Sequence, residues 1–163
     1  MQRIAVIGQG YVGLPLSIAA AESGLQVTGI DIDQRKIESI QAFNSPVEDI
    51  TDQRIQVATS SGKFSATSDF AKVSDAEVVV ICVPTPLNEK LEPDLTALKG
   101  AVNSVVPFLN EGTLLISEST SFPGTLRNVI MPLVREKYSG DFTKLHFASA
   151  PERVNPADLK WDI

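Results

Sequence analysis

Residues 3–15, RIAVIGQGYVGLP, pass from a short apolar run straight into a cluster of glycines. The run lacks the in-out alternation of a half-buried strand, so 3–8 reads as a strand covered on both faces. Gly8, Gly10 and Gly13 form a G-x-G-x-x-G pattern, and 11–24 reads as a helix that ends at Gly24. Each glycine has a task in such a strand–turn–helix. Gly8 permits the tight turn, Gly10 lets the backbone approach a pyrophosphate, and Gly13 lets helix and strand pack closely. The first N–H groups of the helix lack intrahelical acceptors and sit at the positive end of its dipole, which suits an anion. Pro15 stands about where the helical ladder begins, the place where a missing N–H does least harm. A plain βα turn with glycines for packing is the competing reading of this stretch.

The pattern continues outward. Residues 26–31, QVTGID, read as a second strand with Asp31 at its end, 18 residues after Gly13. That is close to the ~20 expected of a ribose-binding carboxylate. Such a group accepts hydrogen bonds from ribose hydroxyls and repels a 2′-phosphate, which favours NAD over NADP. Arg35 and Lys36 read equally as solvated helix charges or as cofactor contacts. Residues 33–43 form an amphipathic helix pattern with Asp33 as cap, and 45–62 read as short helical pieces. Strands follow at 64–69 and 76–84, then a helix over 94–110 with Asp94 at its cap. A fifth strand is expected at 113–119, a helix kinked at Pro132 over 123–140, and a sixth strand at 145–152.

Strands of this kind separated by helices imply an α/β fold with a parallel sheet covered on both faces. Right-handed crossovers make it a doubly wound, Rossmann-type sheet of about six strands, in the order 3-2-1-4-5-6. Ligands of such sheets sit beyond the carboxyl ends of the strands. Attention therefore falls on residues 8–15, 31–36, 83–88, 118–122 and 150–156.

Composition sets outer bounds. With 163 residues, 43% hydrophobic and 21% charged, the chain is expected to form one domain, 1–163. A net charge of -6 argues against sequence-independent nucleic-acid binding, but a nucleotide can still be held by backbone N–H groups. One cysteine, Cys82, permits no intramolecular disulfide and fits a cytoplasmic setting. The longest strongly apolar run, 78–83, is too short for a bilayer, and the N-terminus has no signal-peptide pattern. Cys82, inside VVICV, reads as a small buried hydrophobe, and His146 as a packed or edge histidine in a strand. No His/Cys/Asp grouping has metal-ligand spacing.

Four stretches carry more: GQGYVGLP (8–15), VPTPLNEKLEPDL (83–95), SESTSFPGT (117–125) and APERVNP (150–156). Together, in this order and at carboxyl ends of strands, they resemble the UDP-glucose/GDP-mannose dehydrogenase family, the nucleotide-sugar 6-dehydrogenases. The resemblance spans essentially the whole chain and leans toward the UDP-N-acetylhexosamine branch. It implies the NAD-binding half of an enzyme that oxidises a sugar C6 alcohol to a carboxylate with two NAD, through a cysteine thioester that water hydrolyses. It also implies a UDP-sugar partner, polysaccharide-precursor synthesis, and a homodimer or higher homo-oligomer for the whole protein.

By the same resemblance, the cofactor is expected against Gly8, Gly10, Tyr11, Val12, Gly13, Asp31, Lys36, Val83, Pro84, Thr85, Ser119 and Thr120. Lys36 matches a basic position near the adenosine ribose, and Thr85 a threonine lying along the cofactor. Thr120 matches the threonine that contacts the nicotinamide end and helps hold the catalytic water. Glu152 matches a base for thioester hydrolysis, and Glu152, Arg153 and Val154 match substrate-contacting positions. From the residues alone, Thr120 could be a turn or cap and Glu152 a solvated acid. A threonine hydroxyl that donates and accepts suits holding a water, and a carboxylate suits taking its proton.

The family's nucleophilic cysteine lies in a part not matched here, so these 163 residues alone are expected to bind NAD without turning over a UDP-sugar. Two departures stand out. Ala157 replaces a common glycine, and Ser121 and Phe122 replace a common valine and tyrosine. A free-standing NAD-binding or sensing module, or another NAD-linked hydroxy-substrate dehydrogenase, are the competing readings. The latter leaves PERVNP and VPTPLN unexplained.

Overall fold

The computed structural model describes residues 2–151. Six strands form one sheet in the order β3-β2-β1-β4-β5-β6, with every neighbouring pair parallel. They are β1 (Arg3–Ile7), β2 (Gln26–Ile30), β3 (Phe64–Thr67), β4 (Val78–Ile81), β5 (Leu114–Ser117) and β6 (His146–Ser149). The order reverses between β1 and β4, where the chain leaves the first half of the sheet and starts the second. The crevice at that reversal is where an open α/β sheet takes its ligands.

Helices cover both faces because the strands offer apolar side chains on both. One face carries Val6, Val27, Val78 and Val80 against α1 (Gly13–Glu22), α2 (Gln34–Gln41) and α3 (Asp52–Ser60). The other carries Ala5, Ile7, Val79, Ile81 and Leu115 against α4 (Thr96–Val105) and α5 (Met131–Lys137). Ile7, Ile30 and Ile81 are nearly or wholly buried where strands end and the site begins, each worth about 2 kcal/mol of apolar burial. α2 is short, and its Ile37 and Ile40, one turn apart, supply its buried stripe. Asp33 and Thr51 cap α2 and α3 by accepting from Arg35 N and Arg54 N.

Several element ends differ from the sequence pattern, each for a local reason. The helix expected from residue 11 starts at Gly13, because Gly10–Val12 stay in the glycine turn. The strand expected over 76–84 is regular only to Ile81; Pro84 lacks a donor to extend the ladder. α4 starts at Thr96, with Asp94 Oδ1 accepting from Thr96 N at 2.8 Å, and Pro107 turns its end into a short 3₁₀ segment, Val106–Phe108. The kink expected at Pro132 is instead a π-helical segment, Leu126–Ile130, just before α5. Pro132 has no N–H for the Asn128 carbonyl and its ring crowds that carbonyl, so the preceding turn widens. His146 is exposed at the start of edge strand β6. No helix among the described residues is long and apolar enough to cross a membrane.

Candidate functional site

The glycine turn is fixed by contacts that no side chain could share. Gly8 has φ +92°, and a Cβ there would stand 2.5 Å from the Cys82 carbonyl oxygen. A Cβ on Gly13 would stand 1.8 Å from the Gly8 oxygen, so any side chain would drive α1 off the turn. Gly8 N donates to the Ile30 carbonyl at 2.7 Å, and Gln9 N to Asp31 Oδ2 at 2.7 Å. The backbone N–H groups of Gly10, Tyr11 and Val12 then have no acceptor among the described residues. The helical ladder starts with Leu14 N to the Gly10 carbonyl and continues with Leu16 N to the Val12 carbonyl, both at 3.1 Å. Pro15, between them, has nothing to donate to Tyr11.

Asp31, only 6% exposed, closes the end of β2. Its Oδ2 accepts from Gln9 N and from Lys36 Nζ, both at 2.7 Å, and its Oδ1 accepts from Asp33 N at 2.9 Å. A carboxylate offers about four acceptor positions, so Oδ1 retains capacity for one further donor. Arg35, by contrast, turns back onto Asp33 through Nε and Nη2 at 3.1 and 3.0 Å and stays in solvent. Its guanidinium holds the Asp33 carboxyl below the usual carboxylate range. Of the two neighbouring cations, Lys36 is the one that joins the site.

A cavity of about 440 Å³ lies beyond the ends of β1, β4 and β5. Every residue expected against the cofactor lines it except Gly13, which lies beneath as the packing glycine. The loops after β4 and β5 are tied together there. Ser119 Oγ accepts from Val83 N at 3.0 Å and faces the Val83 carbonyl as donor at 2.8 Å. Thr85 Oγ1 donates to the Thr120 carbonyl, so the Thr85 hydroxyl holds the loop rather than facing outward. Thr120 itself is exposed at the rim.

Two lining residues went unassigned by the sequence reading, Cys82 and Glu118. Cys82 is half-buried and its thiol donates to Glu118 Oε2 at 2.9 Å. The expectation of a small buried hydrophobe holds only in part: Cys82 packs against the core, but β4 ends one residue before it and it also lines the cavity. Both residues follow directly on strand ends, and that position was the available signal. A second, more apolar cavity of about 520 Å³ adjoins the first and shares Gly8, Asp31, Lys36, Val83 and Pro84 with it. Ile32, Phe70, Ala97 and Gly100 form its walls, none of them marked by a motif. Glu152, Arg153, Val154 and Ala157 lie outside the described residues.

A tight turn with three unclaimed N–H groups, a buried carboxylate at the end of β2 and a cleft at the sheet's reversal define a dinucleotide-binding domain. Residues 2–163 match the model of the UDP-glucose/GDP-mannose dehydrogenase family, NAD binding domain, and the chain belongs to that family. It is 36% identical to the UDP-N-acetyl-D-mannosamine dehydrogenase of Methanocaldococcus jannaschii, over 97% of this chain and 36% of that protein. It is 34% identical to the UDP-N-acetyl-D-glucosamine 6-dehydrogenase of Salmonella typhi, again over 97% and 36%. Among solved structures, a ternary complex of GDP-mannose dehydrogenase from Pseudomonas aeruginosa superposes with a TM-score of 0.89 at 29% identity, over 96% of this chain and 37% of that one. UDP-D-ManNAc dehydrogenase from Pyrococcus horikoshii gives 0.86 at 36% identity, over 95% and 37%. The chain thus spans little more than a third of the length of the relatives it matches.

Proposed function

We propose that this chain is the cofactor-binding domain of an NAD-dependent UDP-sugar 6-dehydrogenase, with a UDP-N-acetylhexosamine favoured over UDP-glucose. The observation that carries the cofactor half of the reading is the run of three unclaimed N–H groups at Gly10–Val12, set beside a carboxylate with acceptor capacity left. The sugar half is supported by relatives named for UDP-N-acetyl-D-mannosamine and UDP-N-acetyl-D-glucosamine. Bound NAD supplies the hydride acceptor for oxidation of the C6 alcohol.

The residues divide the work by their position. Gly10, Tyr11 and Val12 offer backbone donors to the diphosphate. Asp31 takes a ribose hydroxyl at Oδ1, and Lys36, held on Oδ2, places a positive charge at the same edge. The apolar cavity between Ile32, Phe70 and α4 takes the adenine. Val83, Pro84 and Ser119 shape the wall toward the nicotinamide. The Thr120 hydroxyl, at the rim, holds a water for the hydrolytic step, and Glu152 takes that water's proton. Glu152, Arg153 and Val154 meet the sugar nucleotide. The domain is 1–163, and the nucleophilic cysteine, a homo-oligomeric assembly and a cytoplasmic setting belong to the proposal for the whole protein. Cys82, bonded to Glu118 beside the cofactor turn, is not given the nucleophile's role.

Calorimetric titration of NAD and NADP into the chain tests the cofactor reading, with Asp31→Ala alongside. NAD is expected to bind at least about tenfold more tightly than NADP, since a 2′-phosphate would meet the Asp31 carboxylate. Equal binding, or an Asp31→Ala variant with unchanged NAD affinity, overturns the role of Asp31. The whole protein assayed with UDP-N-acetylglucosamine, UDP-N-acetylmannosamine, UDP-glucose and GDP-mannose tests the substrate. Steady NADH production by these 163 residues alone overturns the assignment of the nucleophile to another part of the protein.

A further inference from the structure

We infer that Gln9, the residue between the first two glycines, is a positioning residue for the cofactor and acts from beneath the turn without touching the ligand. The inference rests on the NAD reading of the site. Gln9 is fully buried and lines neither cavity. Its Nε2 donates to the Val6 carbonyl at 3.0 Å and to the Gly8 carbonyl at 3.3 Å, while its backbone N–H donates to Asp31 Oδ2. One residue therefore ties the end of β1, the turn and the ribose-facing carboxylate together.

Its Oε1 is buried and has no donor among the described residues. A buried amide oxygen without a partner is costly, and an apolar side chain of like volume would fill the space at lower cost. The polar residue is explained by its other end. Two carbonyls held by Nε2 set the path of the turn, and that path sets where the Gly10–Val12 N–H groups point. Room for the amide comes from β2. Gly29 pairs in register with Val6, and a Cβ on it would stand 2.5 Å from Oε1 and 2.6 Å from Cδ of Gln9. Gln9 and Gly29 are thus a complementary pair: the large side chain in the turn needs the missing one on β2.

The test is NAD titration and thermal unfolding of the 163-residue chain with Gln9→Met, Gly29→Ala, and Gln9→Ala combined with Gly29→Ala. Gln9→Met keeps the volume and removes the amide. It is expected to unfold at or above the wild-type temperature and to bind NAD about tenfold more weakly, the size of effect of one misplaced set of hydrogen bonds. Gly29→Ala is expected to weaken NAD binding as well, by pressing on the amide. The double variant removes the clash, so it is expected to recover stability relative to Gly29→Ala while NAD affinity stays low. NAD binding by Gln9→Met within about twofold of wild type overturns the inference. So does a double variant that recovers stability and affinity together, because packing alone would then account for both. A wild-type chain that does not bind NAD overturns the cofactor reading and this inference with it.

Discussion

The two loops that face each other across the site are held by different means. The glycine turn after β1 is over-determined: backbone packs on backbone at Gly8 and Gly13, and Asp31 and Gln9 lock it from below. The loop after β4 is held by side chains of neighbouring and facing residues. Ser119 grips Val83 from the loop after β5, Thr85 reaches Thr120, and Asn88 Oδ1 accepts from Lys90 N and Glu92 N at 2.9 and 3.0 Å. Its outer part is solvated, with Leu87 and Leu91 61% and 78% exposed. One wall of the site is therefore set by sterics and the other by hydrogen bonds that single substitutions can remove. In the proposed reading, the rigid wall meets the cofactor diphosphate and the adjustable wall meets its nicotinamide end.

This contrast can be broken most sharply at Gly13. Gly13→Ala is expected to cost at least ~3 kcal/mol and abolish NAD binding, as an overpacked backbone contact does. Thermal unfolding close to wild type would show that the turn has slack. Asp31→Ala comes next. Losing a charged acceptor of three donors is expected to weaken NAD by about 1.5–3 kcal/mol, roughly ten- to a hundredfold, read by calorimetry. On the other wall, Ser119→Ala should cost about 1–2 kcal/mol in urea unfolding and only a few-fold in NAD affinity. If it abolished binding, the two walls would be equally rigid.

Two smaller effects probe regions away from the ligand. Leu91 sits at φ 60°, so Leu91→Gly should gain about 0.5 kcal/mol, relief of the left-handed backbone outweighing the added freedom of the unfolded chain. NAD affinity should not change, and a measurable change would extend the site into the outer loop. Arg54 Nε and Nη2 donate to Glu22 Oε1 and Oε2 at 2.9 and 2.8 Å, joining α3 to α1 on the surface. Its hydrogen bonds hold the Glu22 carboxyl below its ordinary range. The stabilisation is therefore fully present above the ordinary carboxylate range and is lost as pH falls below it through the lowered folded-state value. Arg54→Gln should cost under about 0.5 kcal/mol near neutral pH, less in high salt, and the gap should close on acidification.

The contrast between the walls also explains what could be read in advance. Strand order was legible because buried parallel strands are apolar runs without alternation, and the short crossovers allow one simple winding. The glycine turn was legible because a steric requirement restricts the residue type itself. Element ends were less so: Pro84 and Pro132 act through donors they lack, and the result depends on what the neighbouring carbonyl does instead. The pairings of Cys82 with Glu118 and of Ser119 with Val83 join residues 36 apart, and no local pattern announces them. Gln9 occupies an unspecified position of the motif, and only the space left by Gly29 gives it meaning. The second, more apolar cavity is walled by Ile32, Phe70, Ala97 and Gly100, ordinary residues brought together by the winding of the sheet.

Pro15 is buried in the first turn of α1, three residues after the open N–H groups of Gly10–Val12. A ring at this position fixes one backbone torsion before folding begins, so the unfolded chain has fewer states to give up here. The helix start next to the donors proposed for the diphosphate thus arrives partly ordered. Ligand binding then spends less of its free energy on arranging the turn, and more of it appears as affinity.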